Sequence, residues 1–333
     1  MTAPATAQRR PRRRRPRLLV FGDLVLDIVI RPDEPPTTGT DVRGTISFRA
    51  GGSAANSARA FAALGGESAF VGAVGDDALG RLLVRSLRAD GVRVHPATVR
   101  QPTARLAVLL DARGERSFVT QRGAADALRK RDVSPALVAR SDAVHLPAYS
   151  LIGDPLRGAA QSAIGLAHDA GRLVSIDLAS RRPLLSEGRA AARRMIAGAA
   201  PDVIFGNADE ARALVGADVR RLLELAPLAV VKEGAAGCQV LWRRGTESAA
   251  GEVLQLAVAT APLRARDTTG AGDAFDAGFL HDLLWESLDA TPAQSPADRT
   301  LHLRRAAVLR RAAMAGHRAA AGLLSRARPE LVL

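Results

Sequence analysis

Lysine is almost missing from this chain: Lys130 and Lys232 are the only two in 333 residues. Arg131 follows the first and Glu233 the second. A Gly-x-x-x-x-Gly-Lys-Ser/Thr loop therefore cannot be assembled, which removes the P-loop nucleotide-binding class. Cysteine is scarcer still. Cys238 stands alone, so there is no disulfide framework and no cysteine-based zinc site. The six histidines include no His-Glu-x-x-His pair. No run of 18 or more uncharged apolar residues occurs, so no membrane span is expected. The N-terminus lacks the apolar segment of a secretory signal, and a cytoplasmic location is the expectation. No Gly-x-Gly-x-x-Gly follows the first strand-like run, so a dinucleotide fold lacks its fingerprint.

Arginine is abundant, and its placement matters more than the formal net charge of +13. Arg9, Arg10, Arg12, Arg13, Arg14, Arg15 and Arg17 crowd the N-terminus without a single acid. Pro11 and Pro16 interrupt that stretch, and it has no apolar period. Residues 1–16 are expected to be a disordered arm, read as a solvated tail before a contact with nucleic acid or an acidic partner.

From Leu18 to about residue 330 the pattern changes. Short apolar runs (Leu18–Phe21, Ala69–Gly72, Ala143–Leu146, Leu173–Ile176, Val203–Phe205, Leu228–Val231) alternate with helical spacing (Ser53–Leu64, Asp76–Ala89). Such alternation predicts a mostly parallel sheet with helices on both faces. Two stretches break it. Residues 31–50 are rich in Pro, Thr and Gly before a strand-like end, and residues 103–122 read as a hairpin over Arg105–Leu110 and Arg116–Gln121. Strands without crossover helices are expected to form a small separate sheet, a lid over the site. Residues 286–298 read as a loop before the last helix.

The most telling stretch is Asp267-Thr268-Thr269-Gly270-Ala271-Gly272-Asp273-Ala274-Phe275. A glycine turn there opens a helix expected over Ala271–Leu288. Free N–H groups and the positive end of the helix dipole suit anionic oxygens, and small residues let a phosphate approach the backbone. A carboxylate inside that cradle would repel a resting phosphate. Accepting a proton from an attacking hydroxyl is a good reason for it, so the stretch suggests phosphoryl transfer. The plainer reading is a glycine turn with an acid in the first helical turn.

Together with Gly51-Gly52-Ser53-Ala54-Ala55-Asn56, that stretch resembles the two signatures of the ribokinase-like (PfkB) carbohydrate and nucleoside kinases. The resemblance covers about residues 18–325. It implies a three-layer α/β/α core, mostly parallel, with a small β-sheet lid. It makes Asp273 the general base and the backbone of Gly270, Ala271 and Gly272 an anion hole for the transferring phosphoryl. Asp27 would hold sugar hydroxyls, with Gly51, Gly52 and Asn56 completing the pocket. A lone carboxylate in the run Leu24–Ile30 would otherwise cost several kcal/mol, whereas Asp23 reads as a turn residue.

The resemblance further assigns Asn207 and Glu210 to magnesium and its waters around ATP, with Glu210 acting through water. The same two residues spell a capping box. Lys232, Gly234, Gly237 and Thr268 are implied beside the nucleotide, although Lys232–Gly237 also reads as an ordinary strand–turn–strand. Ala312 and Ala313 are a shelf for adenine or a packed core helix. Members often bind a monovalent cation beside the anion hole, here potassium at Asp267 and Thr269 with carbonyls near Arg318–Gly322. Two positions depart from the sugar-kinase pattern: Gly123-Ala124-Ala125 replaces Gly-Ala-Asn, and Asp177-Leu178-Ala179-Ser180-Arg181 replaces Asp-x-Asn-x-Arg.

The expected function is ATP-dependent phosphorylation of a sugar hydroxyl. The first rival is an adenosine-type nucleoside kinase, with Phe48 and Phe118 facing the base. The second is a non-catalytic sugar sensor or nucleic-acid-binding regulator using the arm. An exposed edge on the lid is expected to pair with a second copy.

Overall fold

The computed structural model describes residues 14–111, 116–243, 252–261, 267–289, 303–326 and 329–332. In chain order these form thirteen strands. The first seven are β1 (Arg17–Phe21), β2 (Val25–Pro32), β3 (Gly44–Gly51), β4 (Glu67–Gly75), β5 (Arg93–Val99), β6 (Arg105–Leu110) and β7 (Arg116–Gln121). The rest are β8 (Ala143–Pro147), β9 (Leu173–Asp177), β10 (Val203–Asn207), β11 (Leu228–Lys232), β12 (Cys238–Arg243) and β13 (Val253–Val258). The helices are α1 (Ser53–Ala63), α2 (Ala78–Ala89), α3 (Pro135–Arg140), α4 (Leu156–Asp169), α5 (Arg181–Leu184), α6 (Arg189–Gly198), α7 (Ala208–Val215), α8 (Ala271–Asp289) and α9 (Ala306–Leu324).

Nine strands make one sheet in the order β13-β12-β11-β10-β9-β8-β1-β4-β5. From β11 through β5 every pairing is parallel, and β12 and β13 add antiparallel to that edge. Side-chain alternation sorts the core. Leu19 and Phe21 pack with Ile164, Ile196 and Leu214 of α4, α6 and α7. Leu18 and Val20 face the other way, onto Phe61, Phe279 and Leu309 of α1, α8 and α9. This is the expected three-layer α/β/α arrangement.

The second sheet runs β3-β2-β6-β7, with β2 and β6 parallel between two antiparallel pairs. The hairpin β6–β7 lies where the sequence placed it. Strand β2 was not expected in the lid. The chain leaves the core after Phe21, turns at Gly22–Leu24, and enters the small sheet at Val25. Leu26 and Ile28 then pack on the core cluster with Phe48 and Ala50. Asp27 and Arg49, direct register partners, alternate to the opposite face.

Two further expectations shift. The arm was read as ending at residue 16, but Arg14 grips the Asp142 carboxylate with both terminal nitrogens (2.9 and 2.6 Å), and the Glu67 N–H bonds the Pro16 carbonyl. Residues 1–13 lie outside the described residues. The loop expected at 286–298 begins later, because α8 continues to Asp289; residues 290–298 also lie outside. The outer edge of β3 is not bare, since the Leu331 N–H donates to the Phe48 carbonyl at 2.7 Å.

Candidate active site

The order of the sheet decides where a ligand goes. Neighbours of β1 run one way to β4 and the other way to β8, and crevices open beyond the C-terminal ends of strands at such a reversal. Asp177, Asn207 and Lys232 are the last residues of β9, β10 and β11. They line a cleft of about 480 Å³ that also takes in Ser53, Glu210, Gly234, Thr268, Gly270, Gly272 and Asp273.

Asp273 sits in the first turn of α8, beside the first turn of α1. Its Oδ1 accepts from the Ser53 hydroxyl at 2.7 Å and its Oδ2 from the Asn56 amide at 2.9 Å. Burial raises its pKa, the Ser53 bond opposes that, and nearby Asp177 adds to it, leaving a value of about 6. Gly270 holds φ +80°, a conformation that side chains rarely adopt, so the turn there favours glycine on backbone grounds alone. The Ala271 N–H turns back to the Thr268 carbonyl (3.2 Å) and closes the turn.

Lys232 lies just beneath. Its Nζ reaches both oxygens of Asp276 (3.0 and 2.9 Å) and Oδ1 of Asp177 (3.3 Å), and it would stand 3.3 Å from a Cβ on Gly272. Burial by itself lowers the pKa of the ammonium. Asp177 and Asp276 outweigh burial and hold its pKa above the ordinary lysine range. Asn207 and Glu210 form the capping box: the Asn207 N–H donates to Glu210 Oε2 (2.8 Å) and the Glu210 N–H to Asn207 Oδ1 (2.9 Å). Burial, and then the charge of Asp177, push Glu210 up to about 7. The structural reading is realised, and the same carboxyl still lines the cleft.

The lid closes the far side. Asp27 is 3% exposed, and its carboxylate lies where a Cβ on Gly51 would be, so only glycine admits it. Gly52 is the N-cap of α1 without a side chain to cap with. Asp23 supplies the cap instead, through its carboxylate to the Ala54 N–H (3.1 Å), and pairs with Arg122 at 3.6 Å. From the outer lid strands, Arg49 and Arg116 reach the loop before α8. Arg49 Nη1 meets Asp267 at 2.6 Å, and Arg116 donates to the hydroxyls of Thr269 (2.6 Å) and Thr268 (2.8 Å).

Residues 15–320 match the model of the pfkB family carbohydrate kinases. The chain belongs to that family. It is 34% identical over 283 residues to "Probable fructokinase-5" of Arabidopsis thaliana, covering 80% of this chain and 83% of that protein. A fructokinase with bound ATP from Xylella fastidiosa superposes with TM-score 0.74 at 25% identity, covering 94% of this chain and 93% of that one. An adenosine kinase from Sinorhizobium meliloti gives TM-score 0.74 at 26% identity, covering 94% of each chain. A fructokinase double mutant from Vibrio cholerae O395, bound to fructose, ADP and a potassium ion, gives 0.71 at 25%, again covering 94% of each. The protein is thus an ATP-dependent carbohydrate kinase.

Within this pfkB member, some expected site residues answer to packing. Gly237 is not among the cleft-lining residues, and a Cβ there would strike the Val258 carbonyl. Ala312 and Ala313 are fully buried against α8, a core helix and not a shelf. Asn56, expected in the sugar pocket, binds the Asp273 carboxylate. Sequence reasoning quoted Ser53 and Asp177 within motifs without giving either a role, and it passed over Asp276. For Asp276 a signal existed: it follows Asp273 at i+3 on the same helix face, alone in the apolar stretch Ala274–Leu280.

Proposed function

We propose that the acceptor is the primary hydroxyl of a free furanose sugar, with fructose first among candidates, and that Asp273 is the base. The observation that carries this reading is the Asp273 carboxylate, held by Ser53 and Asn56 at the mouth of the glycine turn. The hydroxyl oxygen forms a bond to the γ-phosphorus of ATP, the bond to the ADP oxygen breaks, and the hydroxyl proton passes to Asp273. The N–H groups opening α8 after Ala271, whose own N–H is held by the Thr268 carbonyl, face the charge spread over the phosphoryl oxygens. Asp27, packed on Gly51, accepts hydrogen bonds from sugar hydroxyls. Asn207, Gly234 and Thr268 position the nucleotide. Lys232, already paired below Gly272, steadies the turn from beneath. A closed lid keeps water from the γ-phosphoryl.

Magnesium fits the donor set. Asp177, Glu210, Asp273 and Asp276 outnumber one ammonium, and the charge of Asp177 adds to the burial that raises the Glu210 pKa. Among the described residues no three such side chains converge to hold a metal directly. Glu210 and Asp177 would therefore hold the ion through waters, and it would neutralise polyphosphate charge. A cytoplasmic location suits a chain with one buried cysteine.

The adenosine kinase neighbour favours a second reading, a nucleoside acceptor. Phe118 is 58% exposed on the lid, and the half-buried Phe48 packs against the core cluster, so the two do not make a walled base site. The ordered Asp273 constellation speaks against a silent sensor. The test is ADP release across ribose, fructose, ketogluconate, nucleosides and sugar phosphates, with Asp273→Asn alongside. Fructose should elicit ADP, and the variant should lose about 10²–10⁴-fold in rate. Full activity in the variant, or none with any acceptor, refutes the mechanism.

A further inference from the structure

The resemblance places a monovalent cation beside the anion-hole turn, at Asp267, Thr269 and carbonyls near Arg318–Gly322. The residues here do not fit one. Asp267 Oδ2 accepts from Arg49 Nη1 at 2.6 Å, while Oδ1 accepts the Thr269 N–H at 3.0 Å with Arg116 Nη1 3.8 Å away. The Thr269 and Thr268 hydroxyls both accept hydrogen bonds from Arg116. On the other side the carbonyls from Arg318 to Ala321 are engaged as well. Helix α9 runs unbroken through Leu324, and the Ala321 carbonyl accepts both the N–H and the hydroxyl of Ser325 (3.0 and 2.8 Å). A cation at this place would meet two guanidinium groups and a helix whose carbonyls are already used.

We propose that Arg49 and Arg116 deliver, from the lid, the positive charge that a monovalent cation would bring to the anion-hole turn. Binding of the γ-phosphoryl then needs no such cation, and the turn is charged only while the lid is down. Guanidinium suits the task because it stays protonated and its planar fork binds two oxygens at once. The two arginines come from β3 and β7, opposite edges of the lid sheet, so both can reach Asp267–Thr269 only when the whole sheet is seated. This rests on the reading of that turn as the phosphoryl site.

The test uses the full chain, dialysed into tetramethylammonium chloride and compared with potassium chloride at equal ionic strength. Affinity for a non-hydrolysable ATP analogue is read by calorimetry, the thermal midpoint by fluorescence, and turnover with fructose by ADP release. The wild type should give the same affinity, midpoint and turnover in both salts. The Arg49→Gln/Arg116→Gln variant should lose about tenfold in analogue affinity in tetramethylammonium while keeping a cooperative unfolding transition. Arg116→Lys in the Arg49→Gln background should recover part of that loss. A wild type that binds the analogue or turns over far better in potassium overturns the proposal, as does a double variant that binds like the wild type. If no sugar is turned over yet binding is salt-independent and arginine-dependent, the proposal stands and the acceptor assignment fails.

Discussion

A carboxylate that must take a proton has to be ionised at working pH, and Asp273 is tuned close to that limit. Burial lifts it to about 6, while the Ser53 and Asn56 bonds favour the charged form. The activity–pH profile should therefore fall as pH drops through about 6, because the base is then protonated. Removing a bond to the charged form raises the pKa. Ser53→Ala and Asn56→Ala should each move the acidic limb upward by about one pH unit, visible in kcat/KM against pH. An unmoved limb would assign it to another group, of which Glu210 near 7 is the nearest. Gly51 gives a second residue-scale outcome. A Cβ there collides with the Asp27 carboxylate, so Gly51→Ala should raise the KM for sugar and leave the KM for ATP unchanged. Equal effects on both would remove Asp27 from the acceptor side.

At the scale of elements, α8 joins the site to the core. It carries Asp273 to the cleft and, one turn on, Asp276 to Lys232, with Ala277, Phe279, Leu280 and Leu283 buried beyond. Lys232→Met would leave Asp276 buried without its ammonium, which should cost about 3–5 kcal/mol. A lower urea midpoint measures it, and adding Asp276→Leu should restore most of the stability but not the activity. No loss in the single variant would mean the pair carries no structural weight. This pair also marks the limit of what the sequence discloses. The glycine turn, the start of α8 and α1, the hairpin β6–β7 and six core strands were legible because each is a local pattern of period, turn and cap. Partners set by the sheet order were not. Asp276 and Asp177 lie 44 and 55 residues from Lys232, and no local pattern links them. Strand β2 was hidden because an apolar run looks alike in a core strand and a lid strand. Strand β5 is partly exposed and contains Pro96, and Gln255 interrupts β13, so neither gives an unbroken apolar run.

For the whole molecule, the lid is a four-stranded sheet whose two edges differ. The β3 edge is covered by the chain's own Leu331, whereas β7 is exposed from Ser117 to Gln121, with Val119 at 67%. A strand of that length with no strand beside it among the described residues, carrying exposed Phe118 and Val119, is a template for another strand. A second copy of the chain is the partner at hand, and pairing at β7 would brace the strand from which Arg116 reaches the anion-hole turn. Sedimentation should then show a concentration-dependent dimer. Val119→Lys places a charge on the edge without disturbing a buried contact, so it should leave the fold intact and shift the chain to monomer. Because dimerisation would steady the lid, the monomeric variant should also hold the ATP analogue less tightly. A wild type that stays monomeric at high concentration, or a Val119→Lys variant that still dimerises, would show that the β7 edge is not where copies meet.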